Sequence, residues 1–347
     1  MRRVQADKSG ECILITGAGG YVGSALAKAI ASANPLHLIV LDHSEQGIHE
    51  LLHALGDIET RVHPVIGDIA DSALLNEIFE EHRPDVVYHA AAYKHVPLME
   101  QNPFAVVRNN AIGTAILAKT AVQYQVAKLV MISTDKAVTP RSVMGASKRV
   151  TELMLLRWTN GVSRMSAIRC GNVLGSTGSV LPLFHRQLSQ GLRLTVTDPE
   201  ASRYFFSLED TVALILAASE RDESGSIFVP EAGAPTKILE LARHLLGELG
   251  RHDDAEGSAI HFTGLRPGEK LTEEFTFEYE RTEPVGNNLR RVTSPLVLAD
   301  NFDATVEELE EAVARRDLGR LLELLRYHVP EYRPSELLLR AVAGSAV

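Results

Sequence analysis

A β-rich run, Cys12 to Thr16, leads directly into Gly17-Ala18-Gly19-Gly20-Tyr21-Val22-Gly23. A helix-forming run from Ser24 to Ile30 follows, and then a second apolar run, Leu36 to Leu41, ends in Asp42. Strand, glycine turn, helix, strand and acid in that order restrict the start of the chain to a βαβ unit, and so to a parallel sheet. Gly17, Gly20 and Gly23 stand three residues apart. At that spacing the first permits a tight turn. The second lets backbone approach a pyrophosphate, and the third lets the helix pack on the strand. The helix N-terminus then offers free N–H groups to phosphate. Asp42 follows Gly23 by 19 residues, close to the usual distance for an acid on the adenine ribose hydroxyls. Its charge would repel a 2′-phosphate, which favours NAD over NADP and leaves NADP as the alternative. Gly19, Tyr21 and Val22 complete this cofactor turn. The competing reading is a structural turn in which Asp42 caps the next helix.

The alternation continues. Arg61 to Ile66 reads as a strand, followed by Gly67, Asp68 and Ile69. Asp68 and Ile69 are candidates for the adenine end of the cofactor; otherwise Asp68 caps the helix beginning near Asp71. Pro84 to Tyr88 is the next strand, and His89 to His95 follows it. Ala90 and Ala91 leave room for a flat ligand, and Lys94 or His95 could meet an anion; close packing of small residues is the alternative. Asn102 to Lys119 reads as one long helix in which Asn109 and Asn110 need hydrogen-bond partners. Val126 to Ile132 is a further strand.

That strand runs into Ser133-Thr134-Asp135-Lys136, then Pro140 and a helix starting near Met144. Met144 and Lys148 are four apart and share a helix face. Acid, amine and hydroxyl at the carboxyl end of a strand lie where open α/β sheets bind ligands. A polar loop with a surface salt bridge is the simpler alternative.

Composition narrows the partners. The net charge of -10 over 347 residues gives no global field for nucleic acid or an acidic membrane, so an anionic ligand needs local cations. The two cysteines, Cys12 and Cys170, show no metal-ligand spacing and suit a reducing cytosol; no metal is expected. The polar start MRRVQADKSGE lacks the apolar stretch of a signal peptide, and the apolar runs fall short of a membrane helix. A cytoplasmic, soluble α/β protein without nucleic-acid partners or membrane insertion is expected. Residues 251–258 read as an acidic loop. Further on, Pro182 to Gly191, Asp210 to Glu220, Ile238 to Leu249 and Glu307 to Leu325 read as helical, and Ser226 to Val229 as a strand. Ser202-Arg203-Tyr204-Phe205 and Arg266-Pro267-Gly268-Glu269-Lys270 each bring cations that could face a diphosphate; surface cations are the alternative.

The motifs TGAGGYVG (16–23), HAAAYKHVPLMEQNP (89–103), STDKAVTPRSVMGASKR (133–149), RCGNVLGSTGSVLPLF (169–184), TVTDPEASRYFFSLED (195–210) and GLRPGEKLTEE (264–274) together resemble the extended short-chain dehydrogenase/reductases. Within these they resemble the capsular-polysaccharide branch of UDP-N-acetylhexosamine 4,6-dehydratases, over roughly residues 11 to 330. The resemblance implies a Rossmann-type doubly wound parallel sheet with a smaller mixed α/β substrate-binding domain. It places the cofactor domain at 10–170 plus about 205–230, the substrate domain at about 171–204 and 231–290, and a C-terminal helical extension at 291–347.

The implied reaction removes water from UDP-GlcNAc to leave a 4-keto-6-deoxy sugar for surface polysaccharide. It uses NAD and proceeds in a homo-oligomer. Thr134, Asp135 and Lys136 match the catalytic triplet of these dehydratases. Met144 stands where most of the superfamily has tyrosine, and Lys148 matches the nicotinamide-ribose lysine. Asn172 matches a diphosphate position; Lys94, His95, Arg203, Arg266 and Glu269 complete the substrate set. As base, Lys136 must be a neutral amine, so a lowered pKa is expected, with a raised one on Asp135 as acid. With Met144 unable to ionise, Thr134, or secondarily Ser133, is left to relay the C4 hydroxyl proton. A C5-inverting dehydratase, an epimerase and a non-catalytic NAD-binding protein remain alternatives.

Overall fold

A computed structural model describes residue 8 and residues 10–158, 162–249, 259–294 and 302–345. The acidic loop 251–258 and most of the polar N-terminal stretch lie outside these. The fold is α/β, built on a nine-stranded sheet. Six strands come from the alternating first half: β1 (Cys12–Thr16), β2 (His37–Asp42), β3 (Arg61–Ile66), β4 (Val86–His89), β5 (Lys128–Thr134) and β6 (Arg164–Cys170). They lie parallel in the order β3-β2-β1-β4-β5-β6, with Ser226–Pro230 parallel beyond β6. The order reverses beside β1, so the ends of β1 and β4 border the crevice that such sheets use for ligands.

β1 and β2 are apolar almost throughout because both faces of the sheet are covered. Ile13, Ile15, Leu38 and Val40 join one core with Leu26, Ile30 and Ile215. Their neighbours Cys12, Leu14, Ile39 and Leu41 join the opposite core with Leu75, Phe79 and Leu117. A smaller mixed α/β part has its own core around Phe184, Leu194, Ala242 and Leu246. In it Leu194–Val196 pairs with Ile260–Phe262, and Ser202–Arg203 with Thr236–Lys237.

Two expectations change. Residues 281–290, assigned to the substrate part from sequence, belong to the central sheet. Arg281–Gly286 and Leu289–Thr293 form a hairpin that extends the sheet antiparallel beyond Ser226–Pro230. Asn287 and Asn288 at the tip have φ of 56° and 57°, the left-handed pair that a two-residue type I′ turn requires. The long helix after Asn102 is also interrupted: Val107–Gly113 winds as a π-helix between Pro103–Val106 and Thr114–Gln123.

The C-terminal segment forms three helices, Phe302–Ala314, Leu318–His328 and Glu336–Ser345. Val306, Leu309, Leu321, Leu325 and Leu338 pack in one core with Val107, Met144, Val150 and Met154. This covers the outer side of the helix Val143–Arg157, whose residues 143–155 are all buried. Among the described residues no helix is long and apolar enough to cross a membrane.

Candidate active site

The glycine turn is sterically obligatory. Gly17 sits at φ +71°, and a Cβ there would meet Ala91 N at 2.4 Å; a Cβ on Gly23 would meet Gly17 O at 2.0 Å. The helix Tyr21–Ala31 therefore starts against the turn itself. Its N-cap, Gly20, makes no side-chain cap bond and its first turn carries no acid, so the N–H end is open to an anion. Asp42 accepts from Gly19 N and Ser44 N through different oxygens, each at 2.9 Å. The helix after Asp42 is capped by Ser44, so Asp42 is not its cap. Asp68 likewise leaves capping to Asp71. It accepts from Ala70 N and pairs with Arg108 at 2.6 Å. Partial burial pushes its carboxyl up, but the Ala70 N–H and Arg108 outweigh this and hold it below its usual range. Ile69 is buried, with its side chain beside Gly113. Ala90 N donates to Thr16 O. Val22 packs on the core of the same face. Tyr21 departs from a purely cofactor role: its hydroxyl donates to Leu174 O at 3.0 Å and ties the turn to the loop after β6.

Two strands along the sheet from this turn, β5 ends in the polar quartet. Asp135–Ala137 is one turn of 3-10 helix capped by the Thr134 hydroxyl. Asp135 is fully buried. Its Oδ1 accepts from Thr134 Oγ1 at 2.9 Å and from Lys136 Nζ at 2.9 Å, while Oδ2 has no hydrogen-bond partner. Lys136 Nζ also donates to Asn172 Oδ1 at 3.0 Å and lies 3.8 Å from Glu273 Oε1.

The expected lowering of the Lys136 pKa is not found. Burial pulls it down, but the charges of Asp135 and Glu273 outweigh burial and hold it above its ordinary value. The resting pair is an ion pair. Glu273 is the group that sequence reasoning missed: it lies in GLRPGEKLTEE, but nothing in that string says which of its glutamates turns inward.

Lys148 is buried, and its pKa is lowered to about 8 by burial, partly offset by Glu152. Met144 is buried in the apolar core shared with the C-terminal helices. Ser133 drops out as a proton relay because its hydroxyl donates to Glu152 Oε1 at 2.6 Å. Glu152 belongs to a fully enclosed cluster. Arg169 binds Glu152 at 3.0 Å and Glu280 at 2.6 Å, Arg149 binds Glu152 at 2.9 Å, and both guanidiniums lie over the Phe277 ring. This cluster fixes the helix bearing Lys148 to β6 and to residues 275–280.

On the substrate side, Asn110 holds Tyr93 through both backbone groups, at 2.8 and 3.0 Å, and so positions Lys94 and His95. Its place in the π-helix answers the question raised by an asparagine within a helix. Lys94 and His95 are exposed. The part of its ring that is buried, then the charges of Lys94 and Arg266, hold His95 below its usual range. Arg203 is less available than expected. It donates to the carbonyls of Ser202, Leu271 and Lys270 at 2.7 to 2.9 Å, and so secures loop 266–273. Arg266 is exposed and forks onto Glu269. A cavity of about 720 Å³ lies between this loop and residues 333–337, lined among others by Arg141, Arg266, Lys270 and Arg333.

The family model described as polysaccharide biosynthesis protein matches residues 13–292. Over 327 residues the chain is 40% identical to the capsular polysaccharide biosynthesis protein CapD of Staphylococcus aureus, covering 92% of this chain and 54% of that protein. It thus spans about half the length of that relative. It is 35% identical over 266 residues to a UDP-glucose 4-epimerase of Rickettsia canadensis, covering 74% of this chain and 75% of the other. The structure of the dTDP-glucose 4,6-dehydratase DesIV of Streptomyces venezuelae, with NAD and TYD bound, superimposes with a TM-score of 0.67 at 24% identity. The match covers 90% of this chain and 99% of that one, and at that identity it establishes the shared fold.

Proposed function

The chain belongs to the polysaccharide biosynthesis protein family, and from that premise we propose that it is an NAD-dependent lyase that removes water across C4 to C6 of a UDP-N-acetylhexosamine, UDP-GlcNAc in particular. The observation that carries the reading is the Thr134–Asp135–Lys136 constellation at the end of β5, beside a glycine turn built for a dinucleotide.

The residues present fit the cofactor. The uncapped start of the helix Tyr21–Ala31 suits the pyrophosphate. Asp42 keeps a second lone pair on each oxygen for ribose hydroxyls. Asp68, Ile69, Ala90 and Ala91 would line the nucleotide, and Lys148 would hold the nicotinamide ribose. Bound there, NAD would supply hydride chemistry, taking a hydride from C4 and giving it back at C6.

The protein's own share is proton transfer. Asp135 and Lys136 hold one proton between them along a 2.9 Å hydrogen bond. Moving it from Nζ to Oδ1 turns the ion pair into a neutral amine and a carboxylic acid, with no proton exchanged with solvent. The amine can then accept the C5 proton while Asp135 protonates the departing C6 hydroxyl, which leaves as water. This restores the ion pair. Thr134, hydrogen-bonded to the same Oδ1, is placed to pass the C4 hydroxyl proton out to solvent; after the elimination the Lys136 ammonium can protonate C5, and the pair then takes one proton back from solvent. The cations of loop 266–270 and Asn172 would receive the diphosphate.

A second reading is supported by the kinship to a UDP-glucose 4-epimerase: oxidation and re-reduction at C4 without elimination. Incubation with UDP-GlcNAc, followed by proton NMR, separates the two. A new C6 methyl beside a C4 ketone supports dehydration, a galacto product without a methyl supports epimerisation, and an unchanged sugar overturns both. Gluco or arabino configuration in the keto product separates retention from inversion at C5.

A further inference from the structure

Glu273 has no part in the chemistry set out above, yet it is only 3% exposed. It is carried by the loop that also bears Arg266 and Glu269. Its Oε1 lies 3.8 Å from Lys136 Nζ and 4.0 Å from Arg203 Nε, and its Oε2 lies 3.4 Å from Lys270 Nζ. Oε2 makes no hydrogen bond, so the contacts that hold this buried carboxylate are chiefly charge to charge. Burying a carboxylate is costly unless cations compensate it. Three cations do so here, and one of them is the proposed base.

Dehydration requires Asp135 and Lys136 to hold one proton between them. With no proton the pair lacks an acid, and with two it lacks a base. A fixed negative charge close to the pair strengthens its hold on protons at both limits. We propose that Glu273 is a positioning residue for the elimination: it holds the Lys136 ammonium toward Asp135 and Asn172, and it sets the pH range over which the pair keeps its single proton. The other charged or titratable groups facing this arrangement among the described residues are Arg203 and Lys270, which oppose Glu273, and the Cys170 thiol, which burial, then the charge of Asp135, keep neutral. The inference rests on the dehydratase reading for its meaning, but not for its test.

The test is competitive labelling of the purified full-length protein with trace acetic anhydride across pH, with Lys136 followed by peptide mass spectrometry. Glu273→Gln should lower the apparent pKa of Lys136 by about one unit, the low end for an opposite charge at this distance beside partial solvent access. Glu273→Asp should restore most of the shift. Lys270→Met, which removes a competing ammonium, should move it upward. In turnover, the acid limb of kcat in Glu273→Gln should move to lower pH, with KM for UDP-GlcNAc changed by less than about threefold. A Lys136 titration unmoved in Glu273→Gln, or lowered in Lys270→Met, overturns the proposal. If the wild-type protein leaves UDP-GlcNAc unchanged, the dehydratase reading fails, and the labelling still decides whether Glu273 governs Lys136.

Discussion

Lys136 Nζ stands 2.9 Å from Asp135 Oδ1, in a site where Asp135 is fully buried and its other oxygen is left without a partner. The proposed base and acid are thus one hydrogen-bonded unit rather than two independently tuned groups. Raised and lowered pKa values are not required if the proton only has to move within the pair.

Lys148 sets an alkaline limit. Burial disfavours its charged form and brings its pKa to about 8, so the ammonium is present below that pH and lost above it. kcat measured from pH 6 to 10 should fall with an apparent pKa near 8. Lys148→Arg, which stays charged, should lose that limb even if its plateau is lower. A wild-type rate that stays flat to pH 10 contradicts the role.

Gly23→Ala should cost both fold and cofactor. Its Cβ would stand 2.0 Å from Gly17 O, a backbone atom that cannot swing away. Helix and turn must separate, which moves the N–H end from the pyrophosphate position. The expected result is a melting temperature several degrees lower and little or no nucleotide in acid extracts of the purified variant. Full nucleotide content in a stable variant would show that the turn is not the cofactor cradle.

Glu152→Gln tests the enclosed charge cluster. Glu152 accepts from Ser133, Arg149 and Arg169 with no access to solvent. Removing its charge leaves two guanidiniums facing Glu280 alone, at a cost of about 3–5 kcal/mol in denaturant unfolding. Although burial opposes it, the two arginines lower the Glu152 pKa from 4.5 to about 2. Because the folded pKa is depressed, this contribution is fully present above about pH 4.5. It is lost as pH falls toward 2, a loss absent in the variant. Stability within 1 kcal/mol of wild type would contradict the assignment.

Met144→Leu separates packing from chemistry. Met144 lies in the apolar core formed with Val306, Leu321 and Leu325, so a side chain of similar volume should cost less than about 1.5 kcal/mol. kcat should stay within about threefold. A tenfold or greater loss in a stable variant would mean that Met144 contributes more than packing to the reaction.

Much of this arrangement was legible in the sequence because it is local. The glycine turn, Asp42 and the quartet at the end of β5 each declare themselves within a few residues, and strand alternation gave the sheet. What was not legible depends on long-range contacts. Glu273 reaches Lys136 across 137 positions of chain. Arg203 reads as a free cation until the carbonyls of residues 270 and 271 are brought against it. The raised Lys136 pKa follows from Asp135 first and Glu273 second, and only the second contribution comes from a distant part of the chain. The edge hairpin did carry a local signal, Gly286-Asn287-Asn288 between two β-prone runs, which two-residue turn chemistry identifies.

The most direct test of the central claim is a side-by-side reaction of wild-type protein and Lys136→Ala with UDP-GlcNAc in D₂O, followed by NMR. The account predicts that the wild type forms a 4-keto sugar with a C6 methyl and deuterium at C5, whereas Lys136→Ala retains its nucleotide and forms none. Product from Lys136→Ala at the wild-type rate, or no methyl from the wild type, would contradict it.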